Sequence, residues 1–158
     1  MQEHEVVHGG LVALILTGCP NETLHSEIPV IKATELLGSC LMDLAKNGVI
    51  SEEKVDSFNM PTFFPSMQQL EAAVKRNGCF SIEMVDIKTQ PLPQPKTLAL
   101  STVFRSGFEG VIRKHFGDEF DLDELFDLLS KKYEESFSTF DPKKAVTLFV
   151  LLKRKDSN

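Results

Sequence analysis

Six consecutive apolar residues, Leu11-Val12-Ala13-Leu14-Ile15-Leu16, follow a Gly9-Gly10 turn and constrain the fold more than any other stretch. An apolar run of this length bounded by a turn reads as a strand buried on both faces, the kind found inside a parallel sheet. Cys79 to Ile87 alternates Phe80, Ile82 and Met84 with Ser81 and Glu83, so it reads as a half-buried strand. Ala145 to Lys153 is rich in β-branched residues and Leu and reads as a third.

Helical patterns separate the strands. Leu37, Cys40, Leu41, Leu44 and Ala45 recur at helical spacing between Val30 and Asn47, with Gly48 as a stop. Ser51 caps a short acidic turn, Glu52-Glu53-Lys54. Ser66 and Gln69 form an S-x-x-Q capping box for a helix that ends at Asn77-Gly78. Lys88 to Lys96, with three prolines, reads as a linker. Leu98 to His115 is helical in pattern and Gly117 ends it. Asp121 or Asp118 caps a last helix striped with Leu122, Leu125, Phe126, Leu129 and Tyr133, running to about Phe137. Lys131 and Lys132 sit late in it, where the helix dipole prefers a cation.

The element order β, α, α, β, α, α, β is α/β. At 158 residues one domain is expected. Three strands cannot make a full doubly wound sheet, so the double-sided burial of the first strand implies neighbours beyond these.

Apolar residues at 42% and charged residues at 25% are ordinary for a globular chain. The net charge of −6 argues against nucleic acid as a partner. Cys19, Cys40 and Cys79 are odd in number and widely spaced, which argues against a zinc site or a disulfide framework. The acidic start lacks a signal-peptide pattern, and the apolar run is far short of the ~20 residues that span a bilayer. No membrane association and a cytoplasmic location are the expectation.

The segment Val55-Asp56-Ser57-Phe58-Asn59-Met60-Pro61-Thr62-Phe63-Phe64-Pro65-Ser66 carries the most chemistry. Its two prolines predict a stiff loop, a usual place for the oxygen ligands and aromatic walls of small-molecule sites. Asp56 and Asn59, three apart, would point the same way in a helical turn and could offer oxygens to a hard cation such as Mg²⁺. On spacing alone an Asx-turn is the stronger reading. The acids from Asp118 to Glu124 lack the glycine and closing glutamate of a calcium loop and suit a helix N-terminus. Gly9-Gly10 precedes a strand, whereas a phosphate cradle needs glycines after one. His4, His8 and His115 fit no catalytic triad and read as structural. Phe63, Phe64, Phe104 and Phe108 read as core more readily than as pocket.

Taken together, several collinear motifs resemble the C-terminal part of the plant SABATH carboxyl- and N-methyltransferases. They are His8-Gly9-Gly10, Leu37-Gly38-Ser39, Gly48 through Pro61, Phe64-Pro65-Ser66, Asn77-Gly78-Cys79-Phe80, Arg105 with Glu109, His115-Phe116-Gly117, and Asp123-Glu124-Leu125-Phe126. The resemblance implies the C-terminal portion of a Rossmann-like class I methyltransferase fold with an α-helical cap. Residues 11–16, 79–87 and 145–153 would be three edge strands, the last inserted antiparallel between the other two. Residues 28–77 and 97–139 would be mainly cap and packing helices. It also implies S-adenosylmethionine and Mg²⁺ as cofactors, with Asp56, Phe58 (through its carbonyl) and Asn59 as metal ligands and Phe104 against the substrate ring. The family's Asp-Leu-Gly-x-x-x-Gly loop for S-adenosylmethionine and its His-Trp motif do not occur in this sequence.

Two functions follow from the resemblance. One is methyl transfer from S-adenosylmethionine to a carboxylate or ring nitrogen of a small aromatic or xanthine-like metabolite, in which proximity and orientation do most of the work. The other is a non-catalytic, truncated fragment that pairs with a full-length relative or forms a homodimer, using an apolar strand edge open to pairing.

Overall fold

Three strands, β1 (Leu11–Gly18), β2 (Phe80–Thr89) and β3 (Val146–Arg154), form one sheet in the order β1-β3-β2. The last strand is central and runs antiparallel to both neighbours, as the resemblance implies. The computed structural model describes residues 6–60, 62–92, 99–117 and 120–156. The remaining helices are α1 (Pro29–Lys46), α2 (Glu52–Ser57), α3 (Met67–Asn77), α4 (Ala99–Phe116) and α5 (Leu122–Ser136). The chain divides into two units: Met1–Ile28 with Phe63–Pro91 and Pro142–Asn158, and Pro29–Thr62 with Leu92–Asp141. His4, Pro61, Asp118 and Glu119, and residues 93–96 of the Lys88–Lys96 linker, lie outside the described residues.

In the first unit the inward sheet face carries Val146, Leu148, Val150, Leu152 and Phe80, packed with Leu14, Leu16 and Ile82. Helix α3 covers it with Met67, Leu70 and Val74. The capping box is made: Ser66 Oγ accepts from the Gln69 N–H at 3.3 Å, and Gln69 Oε1 accepts from the Ser66 N–H at 2.9 Å. Gly78 closes α3 at φ 77°, where a β-carbon would be strained.

Two strand expectations are corrected. Strand β1 is an edge of an antiparallel sheet, not a strand buried on both sides in a parallel one. Leu11 is 60% exposed and Ile15 72%, because only the alternate residues meet α3's side of the sheet. In β2 the pairing steps from Ile82↔Leu152 to Met84↔Leu151, a bulge at Glu83. The extra residue moves the following side chains across the sheet, so Met84 faces outward at 52% exposure instead of joining Phe80 and Ile82.

In the second unit, α1, α2, α4 and α5 bury one continuous core. Leu37, Cys40, Leu41, Leu44, Ile112, Phe116, Leu125 and Leu129 are all at most 2% exposed. Each such side chain contributes about 1.5–3 kcal/mol relative to exposure. Asp121 is the N-cap of α5 and accepts from the Asp123 N–H at 2.9 Å. Ser51 occupies the N-cap position of α2 without a side-chain capping bond. Lys132 lies a turn short of the end of α5, so it does not serve the dipole there. Instead it reaches α1, at 2.5 Å from Asp43 and 2.7 Å from Ser39.

Among the described residues no helix is long and apolar enough to cross a membrane.

Candidate functional site

The Val55–Ser66 segment is shared between the units, Val55–Thr62 in the second and Phe63–Ser66 in the first. Its first three residues finish α2. Phe58 then turns to extended backbone (φ −74°, ψ 116°), its N–H donating to the Val55 carbonyl at 3.1 Å. Asp56 therefore sits in the last turn of α2 while Asn59 lies past its end. The expectation that both oxygens share one helical turn is not met, because the helix stops between them.

Asp56 and Asn59 are exposed and Phe58 is half-buried. Asp56, Asn59 and the carbonyl of Phe58 could offer only oxygens, the ligand type that hard divalent cations take. Among the described residues no three His, Cys, Asp or Glu side chains come together to hold a metal ion. A cation here would rest on one charged ligand and two neutral ones.

A histidine holds this segment in place. His115, in the last turn of α4, donates from Nε2 to the Lys54 carbonyl at 2.8 Å. The Ser57 hydroxyl donates to the same carbonyl at 3.2 Å and lies 3.4 Å from Nε2. That oxygen belongs to the last turn of α2. The Phe58 ring lies 5.1 Å from both the His115 and Phe116 rings. Sequence reasoning marked His115-Phe116-Gly117 as a motif and His115 as structural; its bond to a residue 61 positions away had no local signal.

Phe104 is 5% exposed in the core of the second unit, its ring 5.3 Å from that of Phe108. The next residue, Arg105, donates from Nε to Glu109 at 2.8 Å and pairs with Asp123 of α5. Its guanidinium also lies 5.7 Å over the Phe126 ring. Glu109 takes a second bond from Arg113 at 2.9 Å. Two of the matched motifs, Arg105 with Glu109 and Asp123 to Phe126, thus form one clasp between α4 and α5. The Arg113 and Arg105 hydrogen bonds hold the Glu109 carboxyl below the usual carboxylate range.

In the first unit, Phe63, Phe64 and Ser66 line a cavity of about 320 Å³ at the carboxyl end of β1, with Cys19, Glu22 and His25. The Cys19 N–H donates to the Pro65 carbonyl at 3.1 Å and its thiol to the Phe64 carbonyl at 3.5 Å. Burial pushes the Cys19 thiol up, away from the reactive thiolate. A second, open cavity of about 570 Å³ runs along α5 past Asp121, Asp123, Glu124, Asp127 and Lys131 in the other unit. Phe104 lines neither.

Comparison with known proteins gives a consistent result. A profile described as SAM dependent carboxyl methyltransferase matches residues 1–155. Loganic acid O-methyltransferase of Catharanthus roseus is 38% identical over 96% of this chain and 42% of its own length. A probable S-adenosylmethionine-dependent methyltransferase of Arabidopsis thaliana is 37% identical, with 43% of its length covered. A probable 7-methylxanthine methyltransferase of Camellia ptilophylla is 30% identical, again over 43% of its length. Among solved structures, a loganic acid methyltransferase with SAH superposes at a TM-score of 0.84 and 36% identity, over 96% of this chain and 44% of that one. The chain thus spans well under half the length of these relatives.

Proposed function

This chain belongs to the S-adenosylmethionine-dependent carboxyl methyltransferase family, and on that premise we propose that it is one part of an enzyme that methylates a small metabolite. The acceptor would be a carboxylate or a ring nitrogen. The relatives' names favour this pair of chemistries, loganic acid offering the first and 7-methylxanthine the second. The observation that carries the reading is the family match along residues 1–155, joined to the 0.84 superposition.

S-adenosylmethionine would supply the methyl group as an electrophilic carbon on sulfur. The family's loop for it is not in this sequence, so no residue here is assigned to holding it. This chain's part is orientation. Asp56, the Phe58 carbonyl and Asn59 would hold a Mg²⁺ ion, which would supply positive charge to fix a negatively charged or oxygen-rich group in place. Phe104, 5% exposed and lining neither cavity, would meet a flat acceptor only if the core around it opened.

A second reading is favoured by the exposed β1 edge and its outward Leu11 and Ile15: this stretch alone is non-catalytic and pairs with a longer relative. Calorimetric titration of S-adenosylmethionine into the purified chain separates the two. Micromolar binding sinks the second reading. Absence of heat agrees with the missing loop, and adding the chain to a full-length relative then decides: a complex supports the second reading and none overturns it.

A further inference from the structure

We infer that His115 is a positioning residue for the Asp56–Asn59 segment: it fixes where α2 ends, and so where the oxygen donors of that segment stand. The inference rests on the cation reading above for its purpose, though not for its geometry. Three observations converge on it. His115 Nε2 donates to the carbonyl of Lys54, in α2, across 2.8 Å and 61 positions of sequence. The same nitrogen lies 3.4 Å from Ser57 Oγ, which bonds that carbonyl as well, so three groups meet at one point. The His115 ring also packs 5.1 Å from the Phe58 ring, on the residue whose carbonyl would face a cation.

The logic is that of an outer ligand shell. A six-residue helix is too short to be stable alone, and its end frays unless something outside holds it. Asp56 lies between the capped Lys54 carbonyl and the anchored Phe58 ring, so one side chain of α4 restrains the backbone on both sides of it. Groups that orient ligands in this way are worth about 10- to 100-fold in metal affinity. His115 reaches none of the reacting groups and acts only through the backbone it holds.

The test uses the whole chain and two conservative replacements. His115→Phe keeps a ring against Phe58 and removes the donor, while His115→Gln keeps an N–H that can reach the Lys54 carbonyl. Hydrogen exchange is read at the Phe58 amide, bonded to the Val55 carbonyl, with amides of α5 as the reference for global stability. His115→Phe is expected to speed Phe58 exchange about fivefold or more, the equivalent of one net hydrogen bond, with α5 unchanged, and His115→Gln to restore it. Unchanged Phe58 exchange in His115→Phe, or failure of His115→Gln to differ from it, overturns the assignment. If His115→Phe loses protection in α5 as well, His115→Leu replaces it under the same criteria, and a global loss in both variants overturns a local role.

Mn²⁺, followed by its electron paramagnetic resonance signal, then reports on the cation. Binding weakened at least tenfold in His115→Phe and recovered in His115→Gln is expected, with Asp56→Asn abolishing it. If Asp56→Asn binds Mn²⁺ as well as the parent, the cation reading fails while the exchange data still decide the positioning role.

Discussion

Gly18 approaches Pro65 so closely that a β-carbon at Gly18 would overlap the Pro65 carbonyl oxygen and lie 2.8 Å from Leu148 Cδ1. The neighbouring Cys19 N–H donates to that carbonyl, so backbone and not a movable side chain fills the space. Gly18→Ala is therefore expected to destabilise the chain by about 1–3 kcal/mol through overpacking. Gly117→Ala makes no new contact but forces a β-carbon at φ 76°, with an expected loss of about 1 kcal/mol. Urea midpoints at constant m-value check both, and the ranking fails if Gly18→Ala is the milder.

The α3 capping box gives a second stability prediction. Ser66 is buried, and its hydroxyl is the acceptor for the Gln69 N–H. Ser66→Ala leaves that donor at the start of α3 without its partner, an expected loss of about 1 kcal/mol. Ser66→Asp keeps an acceptor and should lose less. Thermal unfolding followed by circular dichroism distinguishes them, and equal losses would show that the bond is not what matters.

Acid sensitivity follows from two carboxylates with partners. The hydrogen bond from Lys132 holds Asp43 below the usual carboxylate range, and those from Arg113 and Arg105 do the same for Glu109. Both carboxyls are thus more acidic folded than unfolded. Their stabilisation is fully present above the unfolded value of about 4 and disappears as pH falls through the lower folded values. Lys132→Met and Arg113→Met should each flatten the decline in melting temperature between about pH 5 and pH 2. An unaltered acid limb in both variants contradicts the assignment.

The legible parts of the fold are those decided by near neighbours in sequence. Ser66 and Gln69 are three apart, so their capping box can be read directly and is made as read. Gly48, Gly78 and Gly117 stand at positive φ, with Gly48 and Gly117 each following a helix and Gly78 closing α3. The errors lie where pairing decides. Leu11 to Leu16 has the same composition whether its strand is central or at an edge, and only the partner strand tells which. The bulge at Glu83 is a one-residue change that leaves the alternation of Phe80, Ile82 and Met84 intact on paper and breaks it in space. Lys132 looked like a dipole partner until α1 placed Asp43 beside it. At the site, Asp56, Phe58 and Asn59 came from resemblance, and the helix end between them came only with the structure.

Thiol chemistry separates the cysteines. Cys40 is wholly buried in the second unit, and burial raises its thiol to about 11. At pH 8 about one molecule in a thousand would carry the thiolate, the reactive form. Iodoacetamide is expected to spare Cys40 in the native chain and to label it on unfolding, with half-buried Cys79 labelled first. Because the folded value is raised, stability linked to Cys40 is complete below about pH 8.5 and falls as pH climbs toward the folded value. Mass spectrometry of digests reads the order, and prompt native labelling of Cys40 contradicts its burial.

The two sheet edges predict different behaviour. Strand β2 carries Glu83, Asp86 and Lys88 and a bulge, devices that discourage pairing with another edge. Strand β1 has none: Leu11–Gly18 contains no charge and no proline, and pairs without a register shift along all eight residues. Its outward residues Leu11, Ala13 and Ile15 are all exposed. Self-association of the isolated chain is therefore expected to run through β1. Ile15→Lys places a charge on that face and, being exposed, should change stability by no more than about 0.5 kcal/mol while lowering the oligomer fraction at a given concentration. Met84→Lys, on the already protected β2, serves as the comparison and should change it less. Light scattering after size exclusion reads both, and equal suppression by the two variants would move the association away from the β1 edge.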